Sequence, residues 1–282
     1  MKELPISIQE RIDRYQPVRV GEFTLYPVTV EKARLFSIAR PALEFAQQSL
    51  PVALLSVPLL DAFYKMELQS AAETGAITGL LPAAILALIL SLRLVDGNDP
   101  EELLKRALIV PDGADRNSLK AICFLDEINE IFSSVTPRQF QRMRPIIAAQ
   151  NGVEMPSETA NPEILEMERL MMTQETSGLD PKLYDKIIFA AQGCGVSEEE
   201  IYDWPLLKLE RNAAVLVRKT DYLAVQLAAM SGMVKFKDGN PVPSPYFARR
   251  KTGLSSMRSL DSAGNGADAA VRSKQNQTEN TN

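Results

Sequence analysis

The chemistry open to this chain is limited first by a residue type that it lacks. Its 282 residues include no histidine, which removes the commonest general base, the catalytic dyads and triads built on imidazole, and the commonest protein metal ligand. The two cysteines, Cys123 and Cys194, are far apart in sequence and form no CxxC-type pair. Neither a metal site nor a redox motif is indicated, and we expect two reduced, buried thiols.

Two groups of carboxylates remain as candidates for binding a cation. Three consecutive glutamates occupy positions 198–200, but on a helix they point in different directions, and acids in a first helical turn complement the helix dipole. Asp126, Glu127 and Glu130 have neither a histidine nor an EF-hand glycine beside them, which favours a solvated helix face. We predict no metal, no cofactor and no enzymatic activity. An enzyme using only carboxylates, lysine and tyrosine is the remaining alternative.

The charge of the chain disfavours nucleic acid as a partner. The net charge is -5 at pH 7, whereas a general nucleic-acid binder needs a basic field. Two local basic clusters are present: Arg138, Arg142 and Arg144 around Phe140, and Arg249, Arg250, Lys251 and Arg258. Either could meet phosphate or an acidic protein, but no nucleic-acid-binding motif, phosphate loop or dinucleotide fingerprint accompanies them. We expect no nucleic-acid partner.

The elements that must position these residues are predicted to be mainly helical. Residues 18–28 alternate apolar and polar side chains around a Gly-Glu pair, which predicts two short strands and a tight turn. Residues 31–73 are rich in Leu, Ala and Phe but interrupted by prolines, which predicts two or three short helices or one kinked helix. Residues 101–109 and 118–134 are also predicted as helices, the second with an apolar stripe and its acids toward solvent.

Proline and threonine mark the next helix. Thr136 is predicted to cap it and Pro137 to occupy its first position, while Pro145 bends or ends it.

Residues 76–92 form the most apolar run in the chain. The run is uncharged and about 17 residues long, the lower limit for a membrane span. Gly79 and Pro82 in its first half, Arg93 directly after it and the lack of an aromatic belt favour a buried central helix. A membrane-associated protein anchored through this run is the alternative.

Residues 197–232 are the best-specified stretch. Ser197 followed by Glu200 is a capping-box signature. After Pro205, apolar residues recur at a spacing of three and four, on one face of a helix, at Leu206, Leu209, Ala213, Leu216, Leu223, Leu227 and Met230. We interpret this face as part of the core. Residues 233–247 then predict a short hairpin.

The chain is expected to divide into four parts. Residues 1–150 form an N-terminal hairpin and an apolar helical domain, 151–161 a possible linker, and 162–251 a C-terminal helical domain with a hairpin. Residues 252–282 lack large apolar side chains and are predicted to be disordered. The fold class expected is mainly α: a helical bundle with one or two short β-hairpins and a disordered C-terminal tail.

Four side chains are candidates for contact with a protein partner. Trp204, the only tryptophan, either pins its helix to the bundle or serves as an aromatic anchor, since tryptophan is enriched among binding hot spots. Tyr202 lies beside it in sequence. Met167 and Met171 belong to an acidic, Met-rich helix predicted beyond residue 161, where such side chains either fill a core or form an adaptable contact surface.

The order of these elements carries a resemblance. A hairpin ending in FTLYPVT (23–29) is followed by an apolar helical body and by an acid-capped helix entered through IYDWPL (201–206). This layout resembles the tail assembly chaperones of long-tailed bacteriophages, which are small, mainly helical proteins of the host cytoplasm. The resemblance implies binding of the phage tape measure protein, self-association around it, recruitment of tail tube subunits and absence from the finished particle.

A cytoplasmic location is also expected from the N-terminus. Residues 1–15 are charged and broken by Pro5, and they lack the apolar run of a secretory signal.

Overall fold

The structure, a computed structural model, describes residues 4–75, 78–113, 115–156 and 182–231. The helices in these ranges are α1 (Ile6–Asp13), α2 (Ala33–Glu44), α3 (Leu59–Thr74), α4 (Leu80–Leu92), α5 (Pro100–Lys105), α6 (Pro137–Gln150), α7 (Leu183–Cys194), α8 (Glu198–Tyr202) and α9 (Leu206–Met230). The strands are β1 (Val18–Val20), β2 (Phe23–Leu25), β3 (Ala107–Pro111), β4 (Leu119–Leu125) and β5 (Ile131–Val135). The fold is mainly α with two small antiparallel sheets, which confirms the predicted class.

Helix α4 is the centre of the hydrophobic core. Ten of its 13 residues are buried, and it packs against α2, α3, α5 and β2. This arrangement confirms the buried central helix predicted within residues 76–92. None of the helices in the described ranges combines the length and hydrophobicity that crossing a membrane requires.

The N-terminal hairpin and the helices after it also match the prediction. Strands β1 and β2 pair antiparallel, and Gly21 in the turn between them has a φ of 61°, a backbone conformation that glycine adopts without strain. Helices α2 and α3 fall within the predicted helical region, with Pro41 inside α2.

Strands β3, β4 and β5 form a three-stranded antiparallel sheet in that order. The prediction of a helix at residues 118–134 is therefore wrong, because β4 and β5 lie there. The helix predicted at 101–109 is correct only in its first part, because β3 begins at Ala107. Helix α5 ends at Lys105. Between β4 and β5 the Asp126 carboxylate accepts the N–H groups of Ile128 at 3.0 Å and Glu130 at 2.8 Å, and Asn129 has a φ of 62°. This turn reverses the chain, so the apolar residues on either side alternate across a sheet and do not form a helical stripe.

A buried arginine holds the end of α2. Arg144 on α6 is only 6% exposed, and its Nη2 donates to the carbonyl of Leu43, at 2.8 Å, and to that of Phe45. A positive charge is stabilising at a helix C-terminus. Because Arg144 points into the protein while Arg138 and Arg142 are exposed, the prediction of a three-arginine surface cluster is wrong.

Helix α6 confirms its predicted start, and of the two outcomes predicted for Pro145, a bend or the end of the helix, the second is wrong. Thr136 and Gln139 form a capping box with Pro137 in the first turn. The helix continues through Pro145 to Gln150, so this proline does not terminate it.

One hydrophobic cluster includes Ile147 before the predicted linker, Val153 within it, and Ile187 and Ile201 after it. The chain divides into two compact units, residues 1–216 and 217–282. The Met-rich helix predicted to contain Met167 and Met171, the hairpin predicted at 233–247 and the disorder predicted at 252–282 all concern residues outside the described ranges. Cys123 is buried, but Cys194 is exposed, so the expectation of two buried thiols is wrong for Cys194.

Replacing Arg144 by methionine tests its role at the end of α2. We expect Arg144→Met to lower the free energy of unfolding by about 2 to 3 kcal/mol, because it leaves buried carbonyl groups without their donor. Arg142→Met, an equal change at an exposed position of the same helix, should stay within about 0.5 kcal/mol of the wild type. Urea denaturation followed by circular dichroism measures both. Equal effects would contradict the assignment.

Candidate functional site

The C-terminal helices are attached to the N-terminal segment through the backbone around Trp204. The Val30 N–H donates to the Trp204 carbonyl at 2.8 Å, and the Leu206 N–H donates to the Val28 carbonyl at 2.9 Å. The Val28 N–H in turn donates to the side-chain oxygen of Asn151 at 2.8 Å. The two short segments that carry the sequence resemblance, FTLYPVT and IYDWPL, therefore lie together and form one joint.

Trp204 is part of that joint and not of the surface. Its side chain is 7% exposed, and the Lys208 ammonium lies 3.7 Å from the centroid of its ring, a cation–π contact. Of the two roles open to this residue from sequence, the burial supports the one in which it pins the helix. Tyr202, at 38% exposure, offers more surface to a partner. Partner contact by these residues stays a prediction.

The short helix before this joint carries the three glutamates. They occupy the first turn of α8, whose Ser197 side chain accepts the Glu200 N–H at 3.2 Å. The three are exposed. Their position matches the interpretation made from the sequence, in which acidic residues in the first turn complement the helix dipole.

The first half of α9 is fixed to its neighbours. Leu206, Leu209 and Ala213 are buried, as the sequence predicted. The Lys186 ammonium on α7 pairs with Glu210 at 3.0 Å. Gly193 on α7 leaves no room for a Cβ against Leu216, so α7 and α9 approach closely there.

An ion pair also ties α9 to α1. The Arg211 guanidinium lies 2.7 Å from the Asp13 carboxylate and 5.6 Å from the centre of the Tyr15 ring. Partial burial acts to lower the pKa of Arg211, but its hydrogen bonds to Asp13 and Tyr15 outweigh burial and raise that pKa above its ordinary value. Arg211 therefore carries its positive charge at any pH at which the protein is studied.

The apolar residues in the second half of α9 keep the spacing of the first half, but they are exposed. Leu223, Leu227 and Met230 are 50%, 67% and 83% exposed, so the interpretation of these positions as core is wrong. Thr220, one step before them at the same spacing of three and four, is also exposed. We call the set Thr220, Leu223, Leu227 and Met230 the α9 seam.

Among the described residues, no group of three or more His, Cys, Asp or Glu side chains is placed to hold a metal ion. One cavity of about 110 Å³ lies between the β1–β2 turn and α6, lined by Val20, Gly21, Glu22, Phe23, Gln139, Arg142 and Met143. Ligand pockets usually measure about 300 to 1,000 Å³. Leu223, Leu227 and Met230 form a row of exposed apolar side chains on one helix, which makes the α9 seam a candidate interaction surface.

Comparisons of the chain with protein-family models, with curated proteins and with solved structures find no match.

Two substitutions separate the structural role of the joint from any role in binding. We expect Trp204→Ala to lower the free energy of unfolding by about 3 to 5 kcal/mol, because it empties a large buried volume. Tyr202→Ala, two residues away and partly exposed, should cost less than about 1 kcal/mol. Thermal and urea unfolding measure both. A Trp204→Ala protein as stable as the wild type would show that the indole does not hold the joint.

Proposed function

We propose that this protein is a helical adaptor of the chaperone type, which binds a helical segment of a protein partner along the α9 seam. One observation carries the proposal: large apolar side chains recur at heptad spacing on a helix and are half to mostly exposed there. Contiguous exposed apolar surface marks interaction sites in soluble proteins.

The spacing of the seam favours a helix as the bound element. Apolar residues that alternate three and four apart form a stripe that a second helix with the same period can fill, side chain into gap. Amphipathic helices are commonly recognised in this way, through anchors one or two turns apart. Lys219 and Asp221 flank the stripe with charge, and both are exposed.

The resemblance to phage tail assembly chaperones suggests which partner this is. In that proposal the seam shields apolar or helical segments of the tape measure protein in the host cytoplasm, and tail tube subunits are recruited during virion morphogenesis. The contact between FTLYPVT and IYDWPL supports it, because the two segments quoted for the resemblance form one structural unit. No enzymatic activity, cofactor, nucleic acid or membrane takes part in the proposed function.

The proposal is tested by co-expressing the protein with the products of the genes that neighbour its own and identifying what co-purifies. We expect the tape measure protein to co-purify at a fixed ratio with the wild-type chain. Leu227→Asp or Leu223→Asp should abolish co-purification, because each places a charge in the apolar contact.

The matched control is Val225→Asp, on the opposite side of the same helix, which should retain the partner. Circular dichroism spectra and melting temperatures of all three variants should stay close to those of the wild type, since the altered positions lie outside the core. The proposal fails if no tape measure protein co-purifies, or if Val225→Asp and Leu227→Asp weaken binding equally.

A further inference from the structure

Strand β5 forms one edge of the three-stranded sheet. The sheet order is β3-β4-β5, and within the described ranges no strand pairs with the outer side of β5. Ile131 and Phe132 on this strand are 56% and 47% exposed. An unpaired edge presents a row of backbone N–H and C=O groups, which is a template for pairing with another strand.

Of the features that protect sheet edges, β5 has one, a β-bulge at Phe132, where its pairing with β4 shifts register. The sequence of β5 is IFSSV, with no proline and no charge. The opposite edge strand, β3, contains Pro111, which cannot donate a backbone hydrogen bond. Natural edge strands are commonly blunted by proline, lysine or inward charges. An edge that is apolar, uncharged and free of proline is therefore suited to pairing.

Charges of opposite sign stand at the two ends of β5. Glu130 directly precedes the strand, and Arg138 follows it by three residues in the first turn of α6. Both are exposed, and neither takes part in an ion pair in the part of the chain that the structure describes. In an antiparallel pair, the start of one strand lies beside the end of the other.

We propose that β5 pairs antiparallel with β5 of a second copy of this chain, so that the two three-stranded sheets become one continuous sheet. Full overlap of the strands places Ser133 opposite its own equivalent on a two-fold axis and Phe132 opposite Ser134 of the other copy. Glu130 of each copy then approaches Arg138 of the other, twice in each dimer. A parallel pairing would bring Glu130 against Glu130, so the charges select the antiparallel arrangement.

Charge reversal of this pair is the decisive experiment. Sedimentation velocity of the full-length chain across a concentration series should show a monomer–dimer equilibrium. Glu130→Arg and Arg138→Glu should each raise the dimer dissociation constant at least about tenfold, because each sets like charges against one another at two places. The double variant Glu130→Arg/Arg138→Glu should return the constant to within about threefold of the wild type, because it restores both pairs with their signs exchanged.

The matched control is Glu154→Arg, the same charge change at an exposed position beyond the far end of α6, which should leave the equilibrium unchanged. All variants are also measured with Leu227→Asp, so that association through the α9 seam does not mask pairing through β5. Hydrogen exchange of the Ile131–Val135 amides should slow as the dimer forms. A monomer at all concentrations, a dimer indifferent to both single reversals, or a double variant no better than the singles would each overturn the proposal.

Discussion

The pairing of residues 28–30 with residues 204–206 determines where α9 begins. Pro205 has no N–H, and the residue before a proline is pushed out of the helical conformation, so α8 and α9 form as two helices. The first N–H groups of a helix have no partner within it. The Val28 carbonyl satisfies that of Leu206, while burial of Trp204 excludes water from these bonds. Asn151 ties the same segment to the end of α6.

The apolar residues of α9 keep the same spacing along the helix, but those in its first half are buried and those in its second half are exposed. The first half therefore stabilises the fold, whereas the second half is the part proposed to bind a partner. Full burial of one large apolar side chain contributes about 1.5 to 3 kcal/mol. Leu223, Leu227 and Met230 are already partly covered. Completing the burial of each would therefore contribute roughly half to most of the free energy of burying a fully exposed side chain. Association itself costs about 4 to 15 kcal/mol. The seam of a single copy therefore supports only a weak complex unless the partner also contacts neighbouring residues.

The sequence predicted the features that depend on local chemistry. The first hairpin, the buried run that became α4 and the Thr136 cap of α6 were predicted from turn residues, hydrophobicity and capping residues within a few positions of one another. The helix predicted at 118–134 failed because its apolar residues fit a helical stripe as well as a sheet. The turn that decides between them depends on Asp126 binding two backbone N–H groups. Arg144 was misplaced because its acceptors lie about a hundred residues earlier, a distance that no local pattern spans.

The same limit explains why the candidate site was only half predicted. Spacing identified the apolar side of α9 but could not tell whether the rest of the chain covers it, because coverage depends on contacts distant in sequence. The proposed pairing of β5 offers a way to raise the weak affinity of a single seam for its partner. It uses backbone hydrogen bonds and two symmetry-related Glu130–Arg138 pairs, and it leaves the apolar residues of α9 free to bind a partner. Each dimer therefore carries two seams. A partner with repeated helical segments can then bind the second seam as an intramolecular step, and linked sites of this kind raise overall affinity by about 10² to 10⁴ without any new contact.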